Sequence, residues 1–223
     1  TSNYTAEYYA GNNLTTIEFE EGVKNIGARA YYVYKDPADS KYKYGMPKLK
    51  NVKLATTVKK IGDYAFCGDK AITEFDFTNI EELGEVSFYG CNGLSDLKIP
   101  AGLKEIPVYC FYGCTGLSSL KIPETIEKVR GSAFSGCTGI KELTMPVDLD
   151  YVKTNLSFST SVDGYSSFKN CENIEKITYT KGKTGIMPDL EDNSVGDYTS
   201  NYTAEYYAGN NLTTIEFEEG VKN

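Results

Sequence analysis

Six cysteines, with no histidine and no tryptophan, define the chemistry open to this 223-residue chain. A thiol can attack, bind a metal or close a disulfide, but each role needs particular company. Ser-His-Asp and Cys-His nucleophiles need an imidazole, as do the His-Glu-x-x-His helix and mixed Cys/His zinc fingers. None can be assembled here. Cys110-x-x-x-Cys114 lacks the two-residue gap of a redox or zinc pair. Gly182-Lys183-Thr184 ends like a phosphate-binding loop, yet Ile177 stands where the first glycine of that loop is required, so an exposed turn is expected. The acidic run from Asp189 to Asp197 lacks the alternating ligands of a calcium loop and is expected to be a solvated insertion. Glu74, Asp76, Asp96, Glu142 and Glu175 stand among lysines on what read as strand exteriors, and no two acids stand out as a catalytic couple. Neither a metal, a cofactor nor an enzymatic activity is expected.

The cysteines make sense instead as members of a repeat. Phe88-Tyr-Gly-Cys91-Asn-Gly-Leu94, Phe111-Tyr-Gly-Cys114-Thr-Gly-Leu117, Phe134-Ser-Gly-Cys137-Thr-Gly-Ile140 and Phe168-Lys-Asn-Cys171-Glu-Asn-Ile174 align on an aromatic residue, a thiol three places on and Leu or Ile six places on. Weaker copies begin at Tyr8, Tyr31, Phe66 and Tyr206. The anchors 8, 31, 66, 88, 111, 134, 168 and 206 are spaced by 23, 35, 22, 23, 23, 34 and 38, a period of 23 with three insertions. Residues 199–223 are moreover identical to residues 1–25, which implies a 198-residue unit and the start of another. The chain opens at Thr1 without Met or a leader, as expected of a processed product or an excised piece.

Each anchor is followed by an alternating segment such as Leu94-Ser-Asp-Leu97-Lys-Ile99-Pro100, the pattern of a strand with one buried face. A second apolar pair precedes the next anchor, as in Val58/Ile61 and Leu103/Ile106. A coil of 23 residues cannot bury its apolar side alone. The expected fold is therefore a repeat solenoid, with short parallel strands stacked about 4.8 Å apart in a ribbon and loops or short helical turns on the other side. One solenoid of about eight coils would occupy residues 1–223. Repetition also argues against three disulfides. Four cysteines share one column, and Cys110 stands directly before its anchor where other coils carry Ala or Ser, so buried free thiols packing as small apolar groups are expected. Cys67, one place after Phe66, is expected at the surface.

The motif Ile-Gly-x-x-Ala-Phe-x-x-Cys-x-x-Leu-x-x-Leu-x-Ile-Pro, followed from Ile61 to Phe77 and from Leu83 to Pro100, resembles the BspA-like leucine-rich repeats over most of the chain. The resemblance implies a leucine-rich-repeat solenoid from an extracellular or cell-surface protein of bacteria or protists, associated with adhesion. A second reading, prompted by the duplicated ends, is a structural segment of a long tandem-repeat fibre or stalk.

Partners then depend on surfaces. With 23 basic against 31 acidic residues, a net charge of −8 and only Arg29 and Arg130 as arginines, no basic stripe can follow a phosphate backbone, so no nucleic acid is expected. No apolar run approaches the roughly 20 residues of a spanning helix, so no membrane insertion is expected within this stretch. A protein or glycan ligand, or neighbouring copies of the chain, remain. The residue after the anchor is Tyr9, Tyr32, Tyr89, Tyr112 and Tyr207 in five coils, a candidate recognition stripe to which insertions add Tyr34, Tyr42 and Tyr44. The alternative is that these rings only stack on neighbouring coils.

Overall fold

A computed structural model describes residues 13–35, 42–151, 166–186 and 211–222. Numbered in chain order, the alternating segments after the anchors form β1 (Thr16–Glu18), β5 (Asn51–Lys53), β9 (Ser119–Lys121), β11 (Glu142–Pro146), β13 (Lys176–Thr180) and β14 (Thr214–Phe217). These pair in parallel as β1-β5 and β14-β13-β11-β9. The second apolar pairs give two further parallel ribbons. One joins β2 (Asn25–Ile26), β6 (Lys60–Ile61) and β7 (Glu82–Leu83); the other joins β8 (Glu105–Ile106), β10 (Lys128–Val129) and β12 (Asp150–Tyr151). Turns complete the coils among the described residues, and the leucine-rich-repeat class expected from the sequence is the class observed.

The core is a set of vertical columns. Tyr31, Phe66, Phe88, Phe111, Phe134 and Phe168 stack ring on ring, with successive centroids 5.4, 5.4, 5.5, 5.5 and 5.7 Å apart. Sequence separations of 35, 22, 23, 23 and 34 thus collapse to one physical repeat, because insertions leave between columns without disturbing them. Two bonds tie each joint from Phe66 to Phe168. The Phe88 N–H donates to the Cys110 carbonyl of the next coil at 2.9 Å, while the Cys114 thiol of that coil donates back to the Phe88 carbonyl at 3.2 Å. The same back-bond runs from Cys91 to Phe66, Cys137 to Phe111 and Cys171 to Phe134, each at 3.1 Å. All six cysteines are free thiols.

Reversing the chain direction within so short a coil takes two residues in the left-handed region. Glycine fills the position two after the anchor at Gly68, Gly90, Gly113 and Gly136, with Asn170 as the variant. Two before the anchor the same conformation falls on Arg29, Tyr64, Val86, Tyr109 and Ser132, all with φ between 55° and 59°. A β-branched residue is least suited to it. Replacing Val86 by Asn, which tolerates the conformation, is expected to stabilise the protein by about 1 kcal/mol, seen as a higher urea midpoint at constant slope; an unchanged or lower midpoint would contradict the strain argument.

One sequence expectation requires correction here. The segments 73–77 and 94–99 form no strand, and Lys98 alone bridges to Lys121. Phe75 and Phe77 stand there in place of the Leu and Ile of other coils, 4.7 Å apart and packed at 4.8 and 5.1 Å on Phe88. One backbone bond still links the two segments, from the Ser95 N–H to the Thr73 carbonyl at 3.2 Å. The insertion after Tyr32 is an antiparallel hairpin, β3 (Val33–Lys35) with β4 (Tyr42–Tyr44).

Candidate recognition groove

The position after each anchor reads Tyr32, Cys67, Tyr89, Tyr112, Ser135 and Lys169 in successive coils, from buried at Cys67 and Ser135 to exposed at Tyr89. These residues share one groove of about 570 Å³. Three of the tyrosines predicted from the sequence, Tyr32, Tyr89 and Tyr112, are brought together in it. Tyr44 extends the cluster from the hairpin, with its ring 5.0 Å from that of Tyr32 and 65% of its surface exposed. Tyr34 and Tyr42 occupy backbone register positions opposite Lys43 and Lys35 in the same hairpin. Tyr9 and Tyr207 lie outside the described residues.

The opposite wall was not anticipated. Tyr64 and Tyr109 line it together with Val86 and Ser132, all from the left-handed position two before the anchor. That backbone geometry points their side chains back across the groove toward the first stripe: Tyr64 lies 5.4 Å from Tyr32, and Tyr109 meets Tyr112 edge-on at 5.7 Å. Arg29, from the same column, sits 5.3 Å above the Tyr64 ring as a cation on a π face. Tyr89 and Tyr112 stack nearly flat, 4.7 Å apart at 5°, so their outer edges form a continuous aromatic floor. Burial raises the Tyr32 and Tyr89 phenols above their ordinary value, which keeps both protonated and able to donate at neutral pH.

Cys67 was expected at the surface and is instead only 8% exposed. It lines the groove between Tyr32 and Tyr89 of the coils on either side. Burial, then the nearby Asp69, pushes its thiol up to about 11, so it remains a poor nucleophile. Beyond the groove the strand faces carry exposed ion pairs such as Lys60–Glu82 at 2.6 Å and Lys141–Glu175 at 2.8 Å. Among the described residues no group of three Cys, Asp or Glu side chains gathers as a metal cage. No helix among them is long and apolar enough to cross a membrane.

Columns of this kind, recurring with one ring, one thiol and one leucine per turn, invite comparison with known repeats. The BspA type leucine-rich repeat region matches in six copies over residues 39–163, more than half of the chain. The chain belongs to that family. Among solved structures, a leucine-rich repeat protein from Eubacterium ventriosum shares 25% identity with a TM-score of 0.52, covering 77% of this chain and 50% of the other. A leucine-rich cell surface protein from Faecalibacterium prausnitzii shares 18% identity over 94% of this chain and 61% of the other, with a TM-score of 0.39. A leucine-rich repeat protein from Bacteroides ovatus shares 18% over 96% of this chain and 64% of the other, with a TM-score of 0.42. This BspA-type chain thus spans between half and about two thirds of the length of these relatives. No curated protein matches it.

Proposed function

We propose that the chain is a non-enzymatic binding scaffold of a cell-surface protein, which recognises a protein or glycan through the tyrosine groove. The observation that carries this reading is the convergence of Tyr32, Tyr64, Tyr89, Tyr109 and Tyr112 from four coils into one cleft, beside strand faces that carry ion pairs such as Lys60–Glu82 and Lys141–Glu175. Tyrosine combines a large, rigid apolar area with a hydroxyl that can donate and accept, at little cost in side-chain entropy. The family supports a scaffold role, and the Faecalibacterium relative is described as a cell surface protein.

Replacing both Tyr89 and Tyr112 by Ser is expected to weaken binding about tenfold or more, as loss of central aromatic contacts does, while the circular dichroism spectrum and urea midpoint hold. The readout is surface plasmon resonance against matrix proteins and a glycan array. Unchanged binding with lowered stability would assign the rings to coil packing, and a wild-type protein that binds nothing on either panel would overturn the adhesion reading. A second reading, a spacer segment of a tandem fibre, is favoured by the duplication of 25 residues, surface positions included. Electron microscopy of the parent material tests it: a short particle with one unit would rule it out.

A further inference from the structure

The two identical segments are packed on opposite faces. In residues 13–25, β1 lies against β5 with Ile17 opposite Val52 and Glu18 opposite Lys53. In residues 211–222, the identical β14 lies against β13, with Ile215 opposite Ile177 and Phe217 opposite Tyr179. Each strand is terminal in its ribbon among the described residues. The face that β1 presents to β5 is therefore repeated on β14 and left uncovered there: Ile215 is 45% exposed and Phe217 50%, although Ile17 and Phe19 are partly buried.

The polar contacts of the covered copy show how fully the uncovered one is equipped. Asn13 accepts from the Lys48 ammonium at 3.0 Å, Glu18 pairs with Lys53 at 3.4 Å, Glu21 accepts from the Thr56 N–H at 2.9 Å, and the Gly22 N–H donates to the Thr57 hydroxyl at 2.9 Å. The counterparts 198 residues on are Asn211, Glu216, Glu219 and Gly220. Two of them already serve their lower neighbour through different atoms. The Asn211 amide nitrogen donates to the Glu172 carbonyl, which leaves its oxygen for a lysine, and Glu216 pairs with Lys176 at 2.7 Å through one of its two oxygens. A lysine on the other side would place that carboxylate between two cations.

We propose that the coil 211–222 of one copy docks on the coil 46–61 of a second copy in place of that copy's own residues 13–25, joining chains head to tail. The interface is heterologous, so it propagates as an open filament rather than closing as a dimer. Exchange trades one set of contacts for an identical set. Its free energy is then set by the translational freedom lost on association against the conformational freedom returned to the displaced segment. The joint lies apart from the tyrosine groove and stands or falls independently of it.

The test uses the full chain, in two separately tagged preparations carrying Lys53→Cys and Glu216→Cys, both at exposed sites. Neighbouring parallel strands bring such a register pair within disulfide reach. Mixed under mild oxidation, the preparations are expected to form a covalent heterodimer well above the yield with Lys98→Cys, an exposed control. Sedimentation velocity of the unmodified chain is expected to give a weight-average mass above 24.7 kDa that rises with concentration. A cross-link yield no higher than the control, or a mass that stays at that of the monomer throughout, would overturn the proposal.

Discussion

Replacing Phe111 by Ala is expected to lower stability by about 3–5 kcal/mol, the cost of deleting a buried phenyl whose cavity cannot collapse. The ring is fully buried and sandwiched between Phe88 and Phe134, 5.5 Å from each and tilted from them by only 16° and 7°. Neither neighbour can move in, since each is stacked on the next ring of the ladder. In a solenoid each coil is stabilised only by those directly beside it, so a defect at the centre also weakens the coupling between the two halves. Urea unfolding followed by circular dichroism should show a lower midpoint and a broadened transition. A loss below 1 kcal/mol would mean that the ring column is not the main store of stability.

The second large effect concerns Asp69, the one carboxyl in the thiol column. In regular coils the column N–H is satisfied locally: that of Cys91 donates to Phe88 and that of Cys114 to Phe111, three residues back, both at 3.2 Å. The coil of Tyr31 cannot do this, because the hairpin inserted after Tyr32 separates Met46 from its anchor. Its N–H donates instead to an oxygen of the Asp69 carboxyl in the next coil. The irregularity in one coil and the odd residue in the following one are thus cause and remedy. Asp69→Ala should cost about 1–3 kcal/mol by stranding a buried donor, whereas Asp69→Asn keeps the acceptor.

The two substitutions also separate on pH. Asp69 is fully buried and its second oxygen has no partner among the described residues; burial raises its pKa well above the ordinary 3.8. The folded state then holds this proton more tightly than the unfolded state. Its contribution is full at acid pH and is lost as pH rises from about 4 through the raised folded value. The coupled thiols of Cys67 and Cys91 are themselves pushed upward and stay neutral over that range. The urea midpoint of the wild type should fall between pH 4 and neutrality, and that of Asp69→Asn should fall less. Parallel profiles would show that Asp69 is already ionised when folded.

What could be read from the residues was whatever a column imposes on side-chain type. Rings, thiols and leucines recur because each must fit the same space in every coil, and 23-residue spacing exposes them. One wall of the groove was legible for the same reason, as Tyr32, Tyr89 and Tyr112 follow their anchors directly. The other wall was not. Arg29, Tyr64, Val86, Tyr109 and Ser132 share a backbone conformation rather than a chemistry, so nothing in their identities reveals the common position. Only its fixed place two residues before each anchor could have disclosed it. The gap in the ribbon at 73–77 and 94–99 was hidden because both segments keep the alternating apolar pattern. Cys67 looked exposed because its position elsewhere carries Tyr, Ser or Lys, yet Ser135 at that position is buried as well.

The thiol column has a use for the experimenter. Cys91, Cys114, Cys137 and Cys171 mark four successive coils, each sealed from water and each donating to a carbonyl of the coil before it. Burial raises all of them, with Cys171 reaching about 12, so an alkylating reagent finds almost no thiolate while a coil stays closed. Labelling at each site then follows the opening of that coil, tracking the opening rate where the reagent outpaces reclosing and the open population where it does not. Mass spectrometry of the labelled peptides would time the fraying of the stack turn by turn, with native probes and no engineered residue.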